Sequence, residues 1–277
     1  MRRITISIFV VLICVISGCQ SNDKTKEEGC TVIIGAFKDE IDYLIEHLVE
    51  PEKIELEGMG FTKGYLDNKT VIVGISGIGK VNAAMTTALV IERFKPGNII
   101  FTGIAGGLNP EIQPGDLIIG EQTVQHDLQF IGSDTAFSYV PKNPATGQPN
   151  PVYFRADSNL LEVAKKVAAN LELSKLPGSN EGAMPRVLTG IIATGDAFIA
   201  SNLKKDDLVV RYHADAVEME GAAVAQVCYQ LGIPCIVIRS ISDSADDKAK
   251  TTLEMFYLQA AKNSANFVMQ IIKQLEI

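Results

Sequence analysis

Several acidic residues in this chain stand where a carboxylate can do chemistry. The stretch IRSISDSADD, residues 238–247, follows an unbroken apolar run and contains Arg239, Ser242, Asp243, Asp246 and Asp247. Asp243 ends that run, so part of its surroundings is low in dielectric. Its pKa is raised unless Arg239 or hydrogen bonds oppose the effect, and a raised pKa suits a general acid. Asp246 and Asp247, past the strand end, read as loop or helix-cap acids in water. In DAVEMEGAAVAQV, residues 215–227, an extended 216–220 would project Glu218 and Glu220 to one side, just before a helix whose N-terminus favours negative charge. The pair are either helix-start residues or a carboxylate grip on the hydroxyls of a sugar. The same choice applies to Asp39 and Glu40 in IIGAFKDEIDYL, directly after the first strand, where helix-capping acids are common.

Glycine-rich turns offer a second kind of chemistry. GISGIGKV, residues 74–81, nearly matches a phosphate-cradling loop, with Gly74, Gly79 and Lys80 in register. Position 81 is Val, so the hydroxyl that should bind Mg²⁺ is missing. The turn reads instead as a tight strand-to-helix connection that can border a ligand. TGIAGGLNPEIQPGDLIIG is a second glycine-rich strand end.

Composition narrows the classes. The chain has 277 residues, 47% hydrophobic and 21% charged, enough for one sizeable core. A net charge of -8 argues against a general nucleic-acid binder, which needs clustered Lys and Arg. The three His residues, at 47, 126 and 213, form no metal-ligand spacing with the cysteines, so no metal is expected. Cys228 and Cys235 sit in apolar surroundings and read as buried thiols rather than a disulfide framework.

The elements that must position these residues follow an α/β pattern. From Thr31 onward, short β-branched runs alternate with helical stretches: TVIIGAF then KDEIDYLIEHLV, KTVIVGISG then KVNAAMTTALVIERF. After an irregular middle come NLLEVAKKVAANLEL, RVLTGIIATG, ADAVEME, AAVAQVCYQLG, PCIVIRSIS and a final helix from about Leu253. This predicts a single domain with a mixed, twisted central sheet flanked by helices, and ligands bound where strands end. FIGSDTAFSYVPKNPATGQPNP and SKLPGSNEGAMP read as loops.

The beginning of the chain reads differently. Arg2 and Arg3 precede an apolar segment from Ile4 to Ile16, too short for a typical membrane span and fitting a secretory signal. The ending ISGC, with Cys19, is similar to a bacterial lipobox. The expected layout is a signal peptide over 1–18, a polar tether over 19–30 with lipidated Cys19, and a folded domain over 31–277. That layout makes the protein an exported bacterial lipoprotein, anchored to a membrane on the periplasmic face or cell surface.

Taken in order, IIGAFKDE, SGIGKVNAA, TGIAGGL, PGD, ATGDAFI, VEMEGAA and RSISDSAD resemble the methylthioadenosine/S-adenosylhomocysteine nucleosidase family, in the nucleoside phosphorylase superfamily. The resemblance runs from Thr31 to the C-terminus. It implies hydrolysis of the N-glycosidic bond of adenosine thioethers with release of adenine, no cofactor or metal, and a homodimer. It also implies roles for individual residues. Asp243 would protonate the purine and Glu40 would activate the attacking water. Glu220 and Met219 would meet the ribose, and Phe198 and Ile199 the adenine. Ile78 would wall the 5′ pocket, while Arg239 and Ser242 would support the site. A ribosyl cation-like transition state calls for such a set: an acid on the leaving base, negative charge near the sugar, and a base holding water. Acids at 39 and 40 would repel phosphate, which favours hydrolysis over phosphorolysis.

Three features depart from the family pattern. Ile104 stands where Ser or Thr is usual, Leu253 where an aromatic is usual, and the segment 130–151 is long and expected to border the 5′ pocket. Two other readings remain open: a related purine nucleosidase of the aminofutalosine type or a phosphorylase, and a surface lipoprotein acting as an adhesin toward an extracellular ligand.

Overall fold

The computed structural model describes residues 29–133, 135–177 and 184–276. The expected signal segment, Cys19 and most of the tether lie outside the described residues. Cys30, assigned to the tether, is instead tied to the domain: its carbonyl accepts the Gly97 N–H at 3.0 Å.

One large mixed sheet organises the chain. Its first half comprises β1 (Thr31–Gly35), β2 (Val49–Leu56), β3 (Met59–Leu66), β4 (Lys69–Ile75) and β5 (Asn98–Gly107). β6 (Leu117–Gln125), β9 (Tyr153–Arg155), β10 (Val187–Thr194), β11 (Ala216–Glu218) and β12 (Cys235–Asp243) complete it, while β7 (Gln129–Ile131) and β8 (Ala136–Ser138) form a separate hairpin. The order is β11-β10-β6-β12-β5-β1-β4-β3-β2. β11 also pairs antiparallel with β5, Ala216 opposite Gly107, so one end of the sheet curls shut. That closure brings the ends of β5, β11 and β12 together.

Alternation along the central strands explains the layers. Ile33, Ile100 and Ile238 face one side with helices α1 (Lys38–Glu46), α3 (Ser158–Ala168) and α6 (Ala249–Gln274). Val32, Phe101 and Val237 face the other with α2 (Lys80–Phe94) and α5 (Gly221–Leu231). With both faces covered, β1 and β12 are buried at every residue, which is why they read as unbroken apolar runs. Each fully buried Ile or Phe here contributes about 1.5–3 kcal/mol of transfer free energy. The helices stop and start on local chemistry: Asp157 caps α3 by accepting the N–H groups of Asn159 and Leu160. Gly232 ends α5 at φ 70.

Some expectations shift. Helix α6 begins at Ala249 rather than near Leu253. Sequence reading passed over the β2–β3 hairpin and helix α4 (Asn202–Tyr212). Cys228 and Cys235 are buried and free. Among the described residues no helix is long and apolar enough to cross a membrane, and no group of ligating side chains could hold a metal.

Candidate active site

A cavity of about 350 Å³ opens at the curled end of the sheet. The loop after β1, the end of β5, β11 and the end of β12 supply its floor. Ile78, Phe37, Leu253 and Tyr257 make much of its apolar wall. Five carboxylates reach it, those of Glu40, Glu218, Glu220, Asp243 and Glu254.

Glu40 sits in the first turn of α1, yet its side chain turns inward and is 1% exposed. It accepts the Ala36 N–H at 2.6 Å and the Ile104 N–H at 2.9 Å, so it ties the start of α1 to β5. Burial pushes its carboxyl up, against the pull of Arg239 and those N–H groups. Gly103 leaves the necessary room, because a Cβ there would collide with Glu40 and the Arg239 guanidinium.

Arg239 is fully buried behind the carboxylates, not in the cavity wall. The support expected from Arg239 therefore reaches the site through other side chains, without contact to the cavity itself. One nitrogen meets Glu40 at 3.5 Å, and the other binds Glu218 closely and Glu220 at 3.2 Å. The guanidinium also lies over the Phe101 ring, 4.6 Å from its centroid. Burial opposes its charge, but Glu218, Glu40 and Glu220 outweigh that and hold the pKa up.

The Glu218–Glu220 alternatives resolve by division of labour. Glu218 ends β11 and accepts the N–H groups of Glu220 and Gly221, at 3.1 and 2.7 Å, so it caps α5. Thr194 donates its hydroxyl to the other Glu218 oxygen. Glu220 turns instead toward the glycine-rich turn and accepts the Gly79 N–H at 2.9 Å. Burial, then the neighbouring Glu218, raise its pKa to about 7. Three carboxylates around one arginine leave an excess of negative charge, which a retained proton relieves.

Asp243 stands apart. It is 2% exposed, accepts the Ala245 N–H at 2.9 Å and the Ser242 hydroxyl at 2.8 Å, and forms no salt bridge among the described residues. Burial raises its pKa; those two donors oppose the shift without cancelling it. A Cβ on Gly106 would lie 2.9 Å from an Asp243 oxygen, as one on Gly103 would meet Glu40. These glycines stand three positions apart on β5, so the two carboxylates abut that strand at separate places. Asp246 and Asp247 are half-buried and exposed, and accept N–H groups from Lys248 and Asn202.

Of the other expected site residues, Ile78, Phe198, Met219 and Ser242 line the cavity. Ile199 lies in the wall of a small recess of about 30 Å³ beside it, which shares Phe198, Met219 and Asp243. Ile104 and Leu253, which depart from the family pattern, also line the cavity. No described residue of the long segment 130–151 does, which corrects the expectation that it borders the 5′ pocket within this chain.

Comparison with known proteins fits this arrangement. Residues 31–275 match the phosphorylase superfamily. A 5′-methylthioadenosine/S-adenosylhomocysteine nucleosidase of an Exiguobacterium strain is 40% identical over 245 residues, 88% of this chain and 97% of that protein. This chain belongs to that nucleosidase family. The family also reaches an aminodeoxyfutalosine nucleosidase of Helicobacter pylori, 36% identical over 88% of this chain and 98% of that one. A crystal structure of the Neisseria meningitidis methylthioadenosine/S-adenosylhomocysteine nucleosidase with methylthio-immucillin-A superposes at a TM-score of 0.78, with 36% identity, covering 89% of this chain and all of that one.

Within this nucleosidase fold, sequence reading missed Phe37, Tyr257 and Glu254, which also line the cavity. Tyr257 and Glu254 lie on the long helix α6, and only the packing of that helix decides which of its faces meets the cavity. The main-chain donors of Ala36 and Ile104 carry no residue signature at all.

Proposed function

We propose that the protein hydrolyses the N-glycosidic bond of 5′-methylthioadenosine and S-adenosylhomocysteine, with 5′-deoxyadenosine as a further substrate, and releases adenine. The observation that carries this reading is the pair of buried carboxylates, Glu40 and Asp243, lining one cavity whose wall is largely apolar. Asp243 gives its proton to the purine as the bond's electrons move onto the base. Water held by Glu40 adds to the sugar carbon and yields its proton to that carboxylate. Glu220 receives the ribose hydroxyls, and the negative charge of the Glu40–Glu218–Glu220 group favours the cation-like sugar of the transition state. Phe198 stacks on the adenine and Ile199 meets it through its main chain. Tyr257, Leu253, Phe37 and Ile78 receive an apolar 5′ substituent.

Protein lacking residues 1–18 should release adenine from methylthioadenosine. A folded sample that releases none would rule the reading out. The Helicobacter pylori relative motivates a second arm with aminodeoxyfutalosine, and the ratio of kcat/KM values assigns the physiological class.

The same proposal includes an exported form and a dimer. Arg2, Arg3, the apolar run to Ile16 and Cys19 support a lipidated N-terminus, and all of them precede the matched residues 31–275. Replacing Cys19 by Ser should move the protein from the membrane fraction to the soluble one. Exposed Phe130, Ile131, Phe137, Val81 and Met85 are apolar surface that a second copy would cover. Light scattering at micromolar protein should give twice the chain mass.

A further inference from the structure

The phosphate-loop look-alike GISGIGKV serves a different purpose. Its backbone donors are taken by carboxylates: the Gly79 N–H by Glu220 at 2.9 Å and the Lys80 N–H by Asp196 at 2.8 Å. Two carboxylates at these donors would repel a phosphate. The Lys80 ammonium, 17% exposed, meets Asp127 at 2.5 Å, Gln125 at 3.4 Å and Asp196 at 3.8 Å. Asp127 closes the triangle by accepting the Asp196 N–H at 2.8 Å. Burial pushes the Asp127 carboxyl up, but Lys80 and that N–H outweigh it and hold the group low and ionised.

Asp196 belongs to the loop 195–199, which carries Phe198 and Ile199. Its lower side rests on the His126 ring, into which a Cβ on Gly195 would run. His126 is 2% exposed and neither of its ring nitrogens has a hydrogen-bond partner among the described residues. Burial lowers its pKa, so the ring packs as a neutral plate. The loop is thus supported from below by His126 and held from the side by Lys80, Asp127 and Asp196. The one turn, 77–80, holds both Glu220 and this loop.

We propose that Lys80 is a positioning residue for purine recognition, which with Asp127 and Asp196 latches loop 195–199 to the start of α2 and so fixes Phe198 and Ile199 relative to Glu220. The proposal rests on the reading that this loop receives the base. A loose loop must be ordered by each substrate, which weakens binding of the base with little effect on the chemical step.

Lys80→Met is the test, with KM and kcat for methylthioadenosine, the Kd for free adenine, and hydrogen exchange of the Asp196–Ile199 amides measured together. Partly exposed ion pairs of this kind predict a rise in KM and adenine Kd of about three- to tenfold, with kcat within about threefold. The amides should exchange faster, Lys80→Arg should restore most of the loss, and adding Asp127→Asn should make Lys80→Met no worse. If Lys80→Met fails to fold, Asp196→Asn takes its place. Unchanged KM, adenine Kd and exchange would overturn the proposal, as would a kcat reduced more than about tenfold at constant KM. If the native protein neither releases nor binds adenine, the functional reading fails, and amide exchange alone then decides whether the latch exists.

Discussion

The two ends of the cavity are built on opposite electrostatic plans. At the sugar end, Arg239 gathers Glu40, Glu218 and Glu220 within hydrogen-bond reach, and the group stays net negative. At the base end, Asp243 is as deeply buried but among the described residues accepts hydrogen bonds from one hydroxyl and one main-chain N–H. Equal burial thus has different consequences. Burial raises the Asp243 carboxyl with no ion pair among the described residues to oppose it, which suits a proton donor, whereas the carboxylates gathered on Arg239 form a negative field suited to a cationic sugar and an attacking water. In the proposed mechanism this difference supports Asp243 as the acid and Glu40 as the base.

Asp243→Asn should have the largest effect on catalysis. It keeps the shape but removes the proton, and kcat should fall roughly 10³-fold with the melting temperature little changed. In the native protein kcat/KM should decline as pH rises through the raised pKa of Asp243, because the protonated form is the active one. Glu40→Gln should lower kcat about 10²-fold. If the two variants lost activity equally and shared one pH profile, the contrast between the ends would be broken.

Glu220 sharpens the contrast through stability. Its carboxyl binds a proton up to about pH 7 when folded but only near 4.5 in ordinary surroundings. Folding therefore takes up a proton between these values. The stability this group contributes is fully present below about pH 4.5 and is lost as pH rises to about 7. Urea melts across this window should show a steeper decline in native protein than in Glu220→Gln, where the carboxyls of Glu40 and Asp243 remain raised. The smallest effect belongs to Ile104→Ser, which returns one hydroxyl to the sugar end. One added hydrogen bond predicts a gain in kcat/KM of roughly two- to tenfold.

Asp243 stood out in sequence for a physical reason, because it ends the fully buried run of β12. Glu40 and Glu220 did not: each stands near a helix start, where an acid serves as readily for capping, and only the family resemblance gave them roles. Glu218 and Glu220 could not be separated, because two residues that share a side in sequence diverge when one caps α5 and the other leans toward Gly79. The position of Arg239 behind the cavity depends on β5 running alongside β12, a long-range contact that no local pattern encodes. Helix α4 escaped notice because only Leu208 and Tyr212 of its eleven residues are buried, leaving almost no apolar stripe. The β2 strand escaped likewise, with six of its eight residues exposed.

The most direct measurement uses a leaving group that needs no proton. A 4-nitrophenyl 5-methylthioriboside departs as a stable phenolate, so Asp243 has nothing to supply, while the water still requires Glu40. On this substrate Asp243→Asn should come within about tenfold of native protein, and Glu40→Gln should stay about 10²-fold below it. An Asp243→Asn variant as crippled on the nitrophenyl compound as on methylthioadenosine would contradict the assignment of Asp243 as the acid.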